Sequence, residues 1–438
     1  MKIYRLFFLL LLALCGWEMV MADEGPIFTV VANPAEKAAT AMRLNWHSLY
    51  EAGEEARQEA NWVTYTVATD SDWKRARTLS AQMERCAAFD SLRSKRPDST
   101  DCVERIILCR HTIELKGLKP NTRYMYRLGR PGSPSDEGTV RYFHTAPKPG
   151  RGEAWSAAII SDFHAYTPIP HRVEVAMAMM DTLESRNGGP VQLALHVGDV
   201  CAWGGSYSFW RDLYTHAPYH RYAWAGVNGN HDNMDRKSTR LSNDYTRYTS
   251  NYPLNGYEGE MGVCYYFRYG EALFIMLNNE SMRSDEGLAA AQQWVRRVTA
   301  KEKARFVVVM EHYQWFFANT GRVSQYERWH ELFDACGVDL AIAGNHHIYA
   351  RTAPLYQGRE VEKSAKQPGT VYLQTPSCDD ERGMVLKEWT ENRDIIKYRW
   401  SEGQRTVGAL LMKAEKNRLS ITLYNRMGEA MDSLVIEK

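Results

Sequence analysis

The chain has 438 residues, 44% of them hydrophobic and 24% charged, which is an ordinary composition for a globular protein. Its length exceeds what a single hydrophobic core usually serves, so we expect two domains. The formal net charge of +1 gives no reason to expect a nucleic acid or an acidic membrane surface as a partner.

Residues 1–22 have the pattern of an export signal peptide. Lys2 and Arg5 precede an apolar stretch at 7–14, and residues 20–22 offer a cleavage site. That stretch is too short to span a bilayer, and no other run of about 18 apolar residues follows. We therefore expect an exported protein, periplasmic or secreted, without a transmembrane segment.

Export would permit disulfide bonds. Of the eight cysteines, seven lie beyond the signal: Cys86, Cys102, Cys109, Cys201, Cys264, Cys336 and Cys378. The odd number leaves at least one free thiol unless chains pair. The first three could supply one bridge, and the sequence does not choose among them.

Residues 26–146 read as a domain of short strands. The segments 27–31, 41–46, 62–67 and 124–128 combine β propensity with alternating polarity. Residues 111–124 join an apolar alternation to a Pro-Asn turn and a Tyr entering the next strand. This piece resembles the E–F corner of fibronectin type III-like domains, which implies a β-sandwich. We assign this domain no chemistry.

A Pro- and Gly-rich linker at 147–152 separates this domain from a second pattern. From residue 153 buried strands alternate with helical spacing at 170–186, 287–299 and 325–336, which predicts a layered α/β domain over 153–400. The tail, 401–438, is expected to add closing antiparallel strands.

In this second domain, five apolar runs each end in residues that can bind metals. The runs are 157–160, 193–195, 222–227, 306–310 and 340–343. The residues that follow them are, in order, Asp162 with His164, Asp199, Asn230 with His231 and Asp232, His312, and Asn345 with His346 and His347. Open α/β sheets hold ligands at the carboxyl ends of their strands, so we expect one shared site.

The ligand types indicate the metals. Oxygen and nitrogen ligands without thiolate suit Zn, Mn or Fe. The six candidate ligands are Asp162, His164, Asp199, Asn230, His312 and His347. They exceed the needs of one tetrahedral ion, so two divalent ions sharing a carboxylate are the simpler explanation. Two ions about 3.5–4 Å apart can activate a water for displacement at phosphorus.

The motif order D-x-H, G-D, G-N-H-D, H and G-x-x-H resembles the calcineurin-like metallophosphoesterase superfamily. The preceding sandwich, the tail, and Tyr349 and Arg351 after His347 resemble its purple acid phosphatase-type members. The resemblance implies a fibronectin type III-like sandwich followed by a four-layer αββα catalytic domain. It also implies an enzyme that hydrolyses phosphate esters, most simply monoesters. A phosphodiesterase or nucleotide hydrolase is the alternative enzyme, and a catalytically weak surface binding protein is the alternative of another class.

The same resemblance assigns roles to individual residues. The first ion would be held by Asp162, His164, His347 and a bridging Asp199, and the second by Asp199, Asn230, His312 and whatever stands at position 345. A metal-bridging hydroxide would be the nucleophile. His231 would contact the phosphate and protonate the leaving oxygen, and Asp232 would orient His231.

Two departures from the family pattern matter. Ala202 stands where purple members have a metal-binding Tyr, so we expect no purple colour and no requirement for ferric iron. Asn345 stands where the family places the first His of its last motif. Three alternatives stay open at this position: binding of the ion through the carboxamide oxygen of Asn345, binding through adjacent His346 instead, or partial loss of the second site.

Two further residues have open interpretations. Glu311 competes with His312 as the ligand after its strand. Arg322, about ten residues on, could bind a substrate phosphate or belong to a solvated loop.

Overall fold

The computed structural model describes residues 27–92, 102–133, 135–234, 244–362, 369–388 and 394–438. The predicted signal peptide at 1–22 lies outside these ranges. Among the described residues, no helix combines the length and the apolar character needed to cross a membrane.

The N-terminal domain is β-rich and consists of two four-stranded sheets. Its strands are β1 (Ile27–Pro34), β2 (Ala41–Leu49), β3 (Trp62–Val67), β4 (Arg77–Ser80), β5 (Gln82–Leu92), β6 (Cys102–Lys116), β7 (Arg123–Leu128) and β8 (Arg141–His144). The sheet orders are β1-β2-β6-β5 and β4-β3-β7-β8. Both sheets contribute to one core, in which Leu44 and Trp46 of the first meet Val63 and Tyr126 of the second. The alternating pattern of the sequence thus produces two apolar faces that cover each other.

The predicted corner between β6 and β7 is present. The backbone N–H of Lys119 donates to the Tyr124 hydroxyl oxygen at 2.9 Å, and Asn121 takes a left-handed backbone conformation in the intervening turn. The polar stretch 51–59 folds as a short 3₁₀ helix and helix α1 (Glu54–Ala60) at the edge of the domain.

The second domain contains two large mixed sheets. Their strands are β9 (Trp155–Ile160), β10 (Leu193–His196), β11 (Trp224–Gly226), β12 (Tyr265–Tyr269), β13 (Ala272–Met276), β14 (Phe306–Met310), β15 (Leu340–Ala343), β16 (Tyr349–Thr352), β19 (Val371–Gln374), β20 (Ile396–Trp400), β21 (Gly408–Glu415), β22 (Arg418–Asn425) and β23 (Ala430–Glu437), with a small hairpin of β17 (Leu355–Tyr356) and β18 (Arg359–Glu360). The sheet orders are β11-β10-β9-β21-β22-β23 and β12-β13-β14-β15-β19-β16-β20.

Helices cover the outer faces of both sheets. They are α2 (His171–Asn187), α3 (Tyr207–Leu213), α4 (Ala217–Arg221), α5 (Asp244–Thr249), α6 (Asp285–Lys301) and α7 (Tyr326–Cys336). The inner faces share one core, while α2 to α4 pack on the six-stranded sheet and α6 and α7 on the seven-stranded sheet. The predicted αββα layering is therefore confirmed, and the three predicted helices are found close to their expected bounds.

The tail completes the six-stranded sheet from within. β21 pairs antiparallel with β9 and with β22, so it occupies an interior position rather than an edge. Among the described residues, six cysteines are free thiols, namely Cys86, Cys109, Cys201, Cys264, Cys336 and Cys378. Of the three pairs that the sequence left open, Cys86 and Cys109 are therefore not bridged.

Candidate metal centre

The predicted clustering of ligands at strand ends is confirmed. β9, β10 and β11 are mutually parallel, as are β13, β14, β15 and β19 in the other sheet. The two sheets face each other, so the loops that leave these carboxyl ends converge at one edge of the domain.

The backbone of these loops is unusual. Nine described non-glycine residues have a positive φ, and five of them are Asp162, His164, Asp199, Asn345 and His347. Asp, Asn and His tolerate the left-handed region better than other side chains, but it still costs free energy. Such conformations concentrate where a fold must aim side chains at a single point.

At two positions of the motifs, only glycine fits beside the candidate ligands. A Cβ on Gly198 would lie 2.6 Å from His312 Nδ1, and Gly198 itself has a φ of 92°. A Cβ on Gly229 would lie 2.0 Å from Asp199 Oδ1. Any larger residue at either position would displace a candidate ligand.

Two buried carboxylates each lie between imidazoles. The oxygens of Asp199 lie 3.3 Å from His164 Nε2 and 3.3 Å from His312 Nε2. Asp162 Oδ1 lies 3.4 Å from His347 Nε2 and 3.9 Å from His312 Nε2. Three groups of residues have ligand atoms within 4.8 Å of one another: Asp162, His164 and His347; Asp162, Asp199 and His312; and His164, Asp199 and His231.

The outer nitrogens of the imidazoles face oxygen acceptors. His312 Nδ1 donates to the Val197 carbonyl at 2.7 Å, and His347 Nδ1 donates to the Arg382 carbonyl at 2.6 Å. His164 Nδ1 lies 3.4 Å from a carboxylate oxygen of Asp379. The two carbonyls hold the ring proton of His312 and His347 on Nδ1, which leaves Nε2 to face the centre, as metal-binding histidines require.

Asp379 was not predicted from the sequence. It follows β19, a short buried strand whose end carries no other ligand residue, so only its position in the fold brings it to His164.

Several buried atoms that face the centre make no hydrogen bond to a described residue. They are Asn230 Oδ1, His164 Nε2 and His312 Nε2, although oxygens of Asp199 lie 3.3 Å from the two nitrogens. Buried polar atoms in native proteins are nearly always satisfied, so these atoms fit a bound cation. Asn230 precedes a 3₁₀ turn without capping it through its side chain, which removes the simple structural explanation for that residue. The donor set fits divalent cations.

The residue at position 345 is held by two contacts. Asn345 N donates to Asp162 Oδ1 at 3.2 Å, and Asn345 Nδ2 donates to Gln314 Oε1 at 2.5 Å. Its carboxamide oxygen makes no hydrogen bond to a described residue. His346 instead packs edge-on to Phe317, with ring centroids 5.6 Å apart, and belongs to none of the three groups. Asn345 therefore contacts the carboxylate of Asp162, whereas the His346 ring packs against Phe317.

His231 belongs to the third group, with His164 and Asp199. Its backbone N–H donates to Asp199 Oδ1 at 2.8 Å, and its ring is 4.9 Å from that of His164 and 5.3 Å from that of Trp203. His231 Nδ1 donates to the Ala202 carbonyl at 2.7 Å, so Nε2 is the nitrogen left for the cleft.

The expected contact between Asp232 and His231 is wrong. The two oxygens of the buried Asp232 accept from the backbone N–H groups of Cys201 at 2.9 Å and Gly229 at 2.8 Å. Because these amides satisfy the carboxylate, Asp232 fixes the loops around the site, and the Ala202 carbonyl orients His231.

Electrostatics of the metal-free residues follow from burial and the two carboxylates. Burial alone would lower the pKa of His312, but Asp199 and Asp162 outweigh it and raise that pKa to about 10. Burial raises the pKa of Asp232 to about 7, and Asp199 adds to the effect. Burial also lowers the pKa of His231, and the positive charges of His164 and Arg382 act in the same direction against Asp199. The site therefore attracts positive charge at its centre.

An open cleft of about 580 Å³ lies over these residues. It is lined by Asp199, Asn230, His231, Asn345, His347, Glu381, Arg382, Gly383, Met384 and Gln404. Arg322 is not among the lining residues, and its guanidinium lies 4.5 Å over the Phe317 ring. Glu311 is buried, accepts from Asn279 Nδ2 at 3.0 Å and lies outside all three groups, so His312 is the residue at this strand end that faces the centre.

Comparison with known families agrees with this geometry. Residues 156–349 match the Calcineurin-like phosphoesterase family, and residues 28–145 match the family described as Purple acid Phosphatase, N-terminal domain. The chain thus carries a calcineurin-like phosphoesterase domain. More particularly, that domain follows a purple acid phosphatase N-terminal domain.

Similar proteins share the fold at low identity. An uncharacterized protein of Mycobacterium tuberculosis is 24% identical over 307 residues, which are 62% of this chain and 55% of that protein, so the chain spans about half the length of this relative. The purple acid phosphatase PPD1 from yellow lupin (Lupinus luteus) seeds superposes with a TM-score of 0.69 at 15% identity, covering 94% of this chain and 74% of PPD1. PhoD superposes with a TM-score of 0.56 at 14% identity, covering 94% of both chains.

Proposed function

We propose that this chain is an exported, metal-dependent phosphatase that hydrolyses small phosphate monoesters. The observation that carries the proposal is the pair of buried carboxylates, Asp162 and Asp199, set between inward-facing imidazoles beside His231. The phosphoesterase domain implies divalent metal ions. A sandwich at 26–146, a catalytic domain at 153–400 and closing strands at 401–438 are the proposed division of the chain.

Two ions would be held by the predicted ligands. Asp162, His164 and His347 would hold the first and Asn230, His312 and Asn345 the second, with Asp199 between them. Bound there, Zn, Mn or Fe would neutralise charge on a phosphate and activate water for attack at phosphorus. The buried imidazole nitrogens and the carboxamide oxygen that make no hydrogen bond to a described residue support this assignment.

His231 would protonate the leaving oxygen. With its Nδ1 proton held by the Ala202 carbonyl, Nε2 can carry a second proton toward the cleft. A neighbouring imidazole that delivers this proton contributes roughly 10²–10⁴-fold to such reactions. Trp203 lies beside the ring, with ring centroids 5.3 Å apart.

The hydrolysis test compares two substrates. Metal-reconstituted protein should release p-nitrophenol from p-nitrophenyl phosphate faster than from bis-p-nitrophenyl phosphate, and a chelator should abolish both reactions. Predominant cleavage of the second substrate would favour the diesterase alternative. If the protein cleaves neither substrate, the enzyme hypothesis is refuted, and a surface binding protein is the alternative that stays.

A matched pair of variants ties activity to the site. Asp199→Asn should abolish hydrolysis because the shared carboxylate loses its charge. Asp181→Asn, which changes an exposed carboxylate paired with Arg221, should leave hydrolysis unchanged.

N-terminal sequencing of the exported protein would test removal of residues 1–22; a retained Met1 would contradict the signal peptide.

A further inference from the structure

One guanidinium in the cleft has no ionic partner. Arg382 is half-buried and lines the cleft, yet its side chain makes no hydrogen bond or ion pair with a described residue. Its acidic neighbours are engaged elsewhere, because Glu381 lies 2.6 Å from Arg172 and Asp380 lies 3.4 Å from Arg426. A partly desolvated charge without a partner is costly, so an anion is expected to complete it.

The segment that carries Arg382 is fastened to the candidate metal ligands. Asp379 lies 3.4 Å from His164, and the Arg382 carbonyl accepts from His347 at 2.6 Å. On the other side, Gly383 N donates to the Gln404 carbonyl at 2.9 Å. The backbone at 382 is therefore fixed relative to the ligands, and its side chain starts from a defined place at the wall of the cleft.

The guanidinium shares this space with His231. Both residues line the same cleft, and Arg382 is near enough for its charge to oppose protonation of His231, in addition to the larger effect of burial. An anion bound between them would offset that repulsion.

We propose that Arg382 binds the non-bridging oxygens of a terminal phosphate group and thereby selects monoesters over diesters. The inference rests on the proposed function. A monoester offers three non-bridging oxygens and up to two negative charges, whereas a diester offers two oxygens and one charge. The planar fork of a guanidinium can bind two phosphate oxygens of either ester, but the second negative charge of the monoester strengthens the contact, so Arg382 gains most from the monoester.

The test uses the metal-loaded full chain and three variants. Arg382→Gln removes the charge, Arg382→Lys keeps it without the fork, and Arg426→Gln removes a charge from an exposed residue that contacts the same segment. Arg382→Gln should lower kcat/KM for p-nitrophenyl phosphate by roughly tenfold to hundredfold, the value of a hydrogen bond to a charged group. The loss should be several-fold smaller for bis-p-nitrophenyl phosphate. Arg382→Lys should recover part of the difference, and Arg426→Gln should match the wild type.

Calorimetric binding of inorganic phosphate gives a readout that does not depend on turnover. Arg382→Gln should bind phosphate roughly tenfold more weakly while keeping the metal content and melting temperature of the wild type. Equal phosphate affinity, or equal losses on both esters, would overturn the proposal. If the wild type hydrolyses neither ester but binds phosphate through Arg382, the proposed function fails and the binding role stands.

Discussion

At the scale of single residues, two features mark the candidate centre. Several buried atoms make no hydrogen bond to a described residue, and several residues adopt a left-handed backbone conformation that costs free energy. Five ligand-region residues take left-handed conformations, and the two nearest glycines leave no room for a Cβ. Each left-handed non-glycine costs about 1–3 kcal/mol, a cost that persists only where surrounding contacts impose it. Here those contacts are the hydrogen bonds that hold the loops, and each can be tested separately.

Position 345 should control the affinity of the second ion. Replacing Asn345 by His would supply an imidazole, a better ligand for zinc-like ions than a carboxamide. Asn345→His should therefore raise affinity for the more weakly bound ion by roughly tenfold to hundredfold, the range seen when groups around a metal are altered. Metal titration with content measured by mass spectrometry checks this, with His346→Ala as the control because that ring faces Phe317. An unchanged titration for Asn345→His would count against Asn345 as a ligand.

Asp379 should act on metal through His164. Its carboxylate approaches the outer nitrogen of that ring, and both side chains are fully buried. Asp379→Asn should weaken binding of the first ion by roughly tenfold to hundredfold, because the ring loses a negative partner that raises its basicity. Equilibrium dialysis against a competing chelator measures the change. Asp380→Asn, one residue away and paired with Arg426, should have little effect; equal losses in both variants would mean that the segment as a whole matters.

At the scale of elements, short apolar runs predicted most strands that carry ligands. Asp162, Asp199, His312 and His347 follow such runs, so their convergence was predictable. The hairpin β12–β13 was not predicted, because short segments without sustained alternation do not separate strand from other structure. Asp379 and Arg382 were also missed, since they lie on a loop whose sequence has no ligand spacing. Only the fold brings that loop to the site.

Part of the tail, strands β21 and β22, should be essential for folding of the catalytic domain. β21 lies inside the six-stranded sheet, and β21 with β22 buries six large apolar side chains, namely Leu410, Leu411, Met412, Leu419, Ile421 and Leu423. Burial of each contributes about 1.5–3 kcal/mol, and the sum approaches the usual total stability of about 5–15 kcal/mol.

Ending the chain after residue 406 should therefore prevent folding, whereas ending it after residue 429 removes only the edge strand β23 and should leave a weakened fold. Circular dichroism and thermal melting of the two truncations compare these outcomes. A folded 406-residue chain would show that the rest of the sheet does not need the tail.

At the scale of the whole molecule, the two domains are joined by a buried polar contact. His47 of β2 donates through Nε2 to the Tyr248 carbonyl at 2.8 Å, and its Nδ1 accepts from the Tyr207 hydroxyl at 2.5 Å. Tyr207 and Tyr248 belong to α3 and α5 of the catalytic domain. The neutral imidazole satisfies both contacts, so a second proton has no acceptor in this arrangement.

The stability of this junction should depend on pH. Burial lowers the pKa of His47 to about 3, and the charges of Arg110 and His111 act in the same direction. Between that value and the ordinary pKa near 6.5, the unfolded chain binds a proton that the folded chain does not. Stability should therefore be complete above about pH 6.5 and fall as the pH drops, by about 2 kcal/mol at pH 5.

His47→Gln separates this residue from other buried histidines, because a carboxamide can donate and accept but does not titrate in this range. Urea unfolding at pH 7.5 and pH 5 should show a loss about 2 kcal/mol greater for the wild type than for the variant. The difference between the two proteins cancels the contributions of His111 and His196, whose pKa values burial lowers in the same way. Identical losses would mean that His47 takes up its proton in the folded state. The junction between the domains would then have to rearrange as the pH falls, since Tyr207 must turn its hydroxyl to accept.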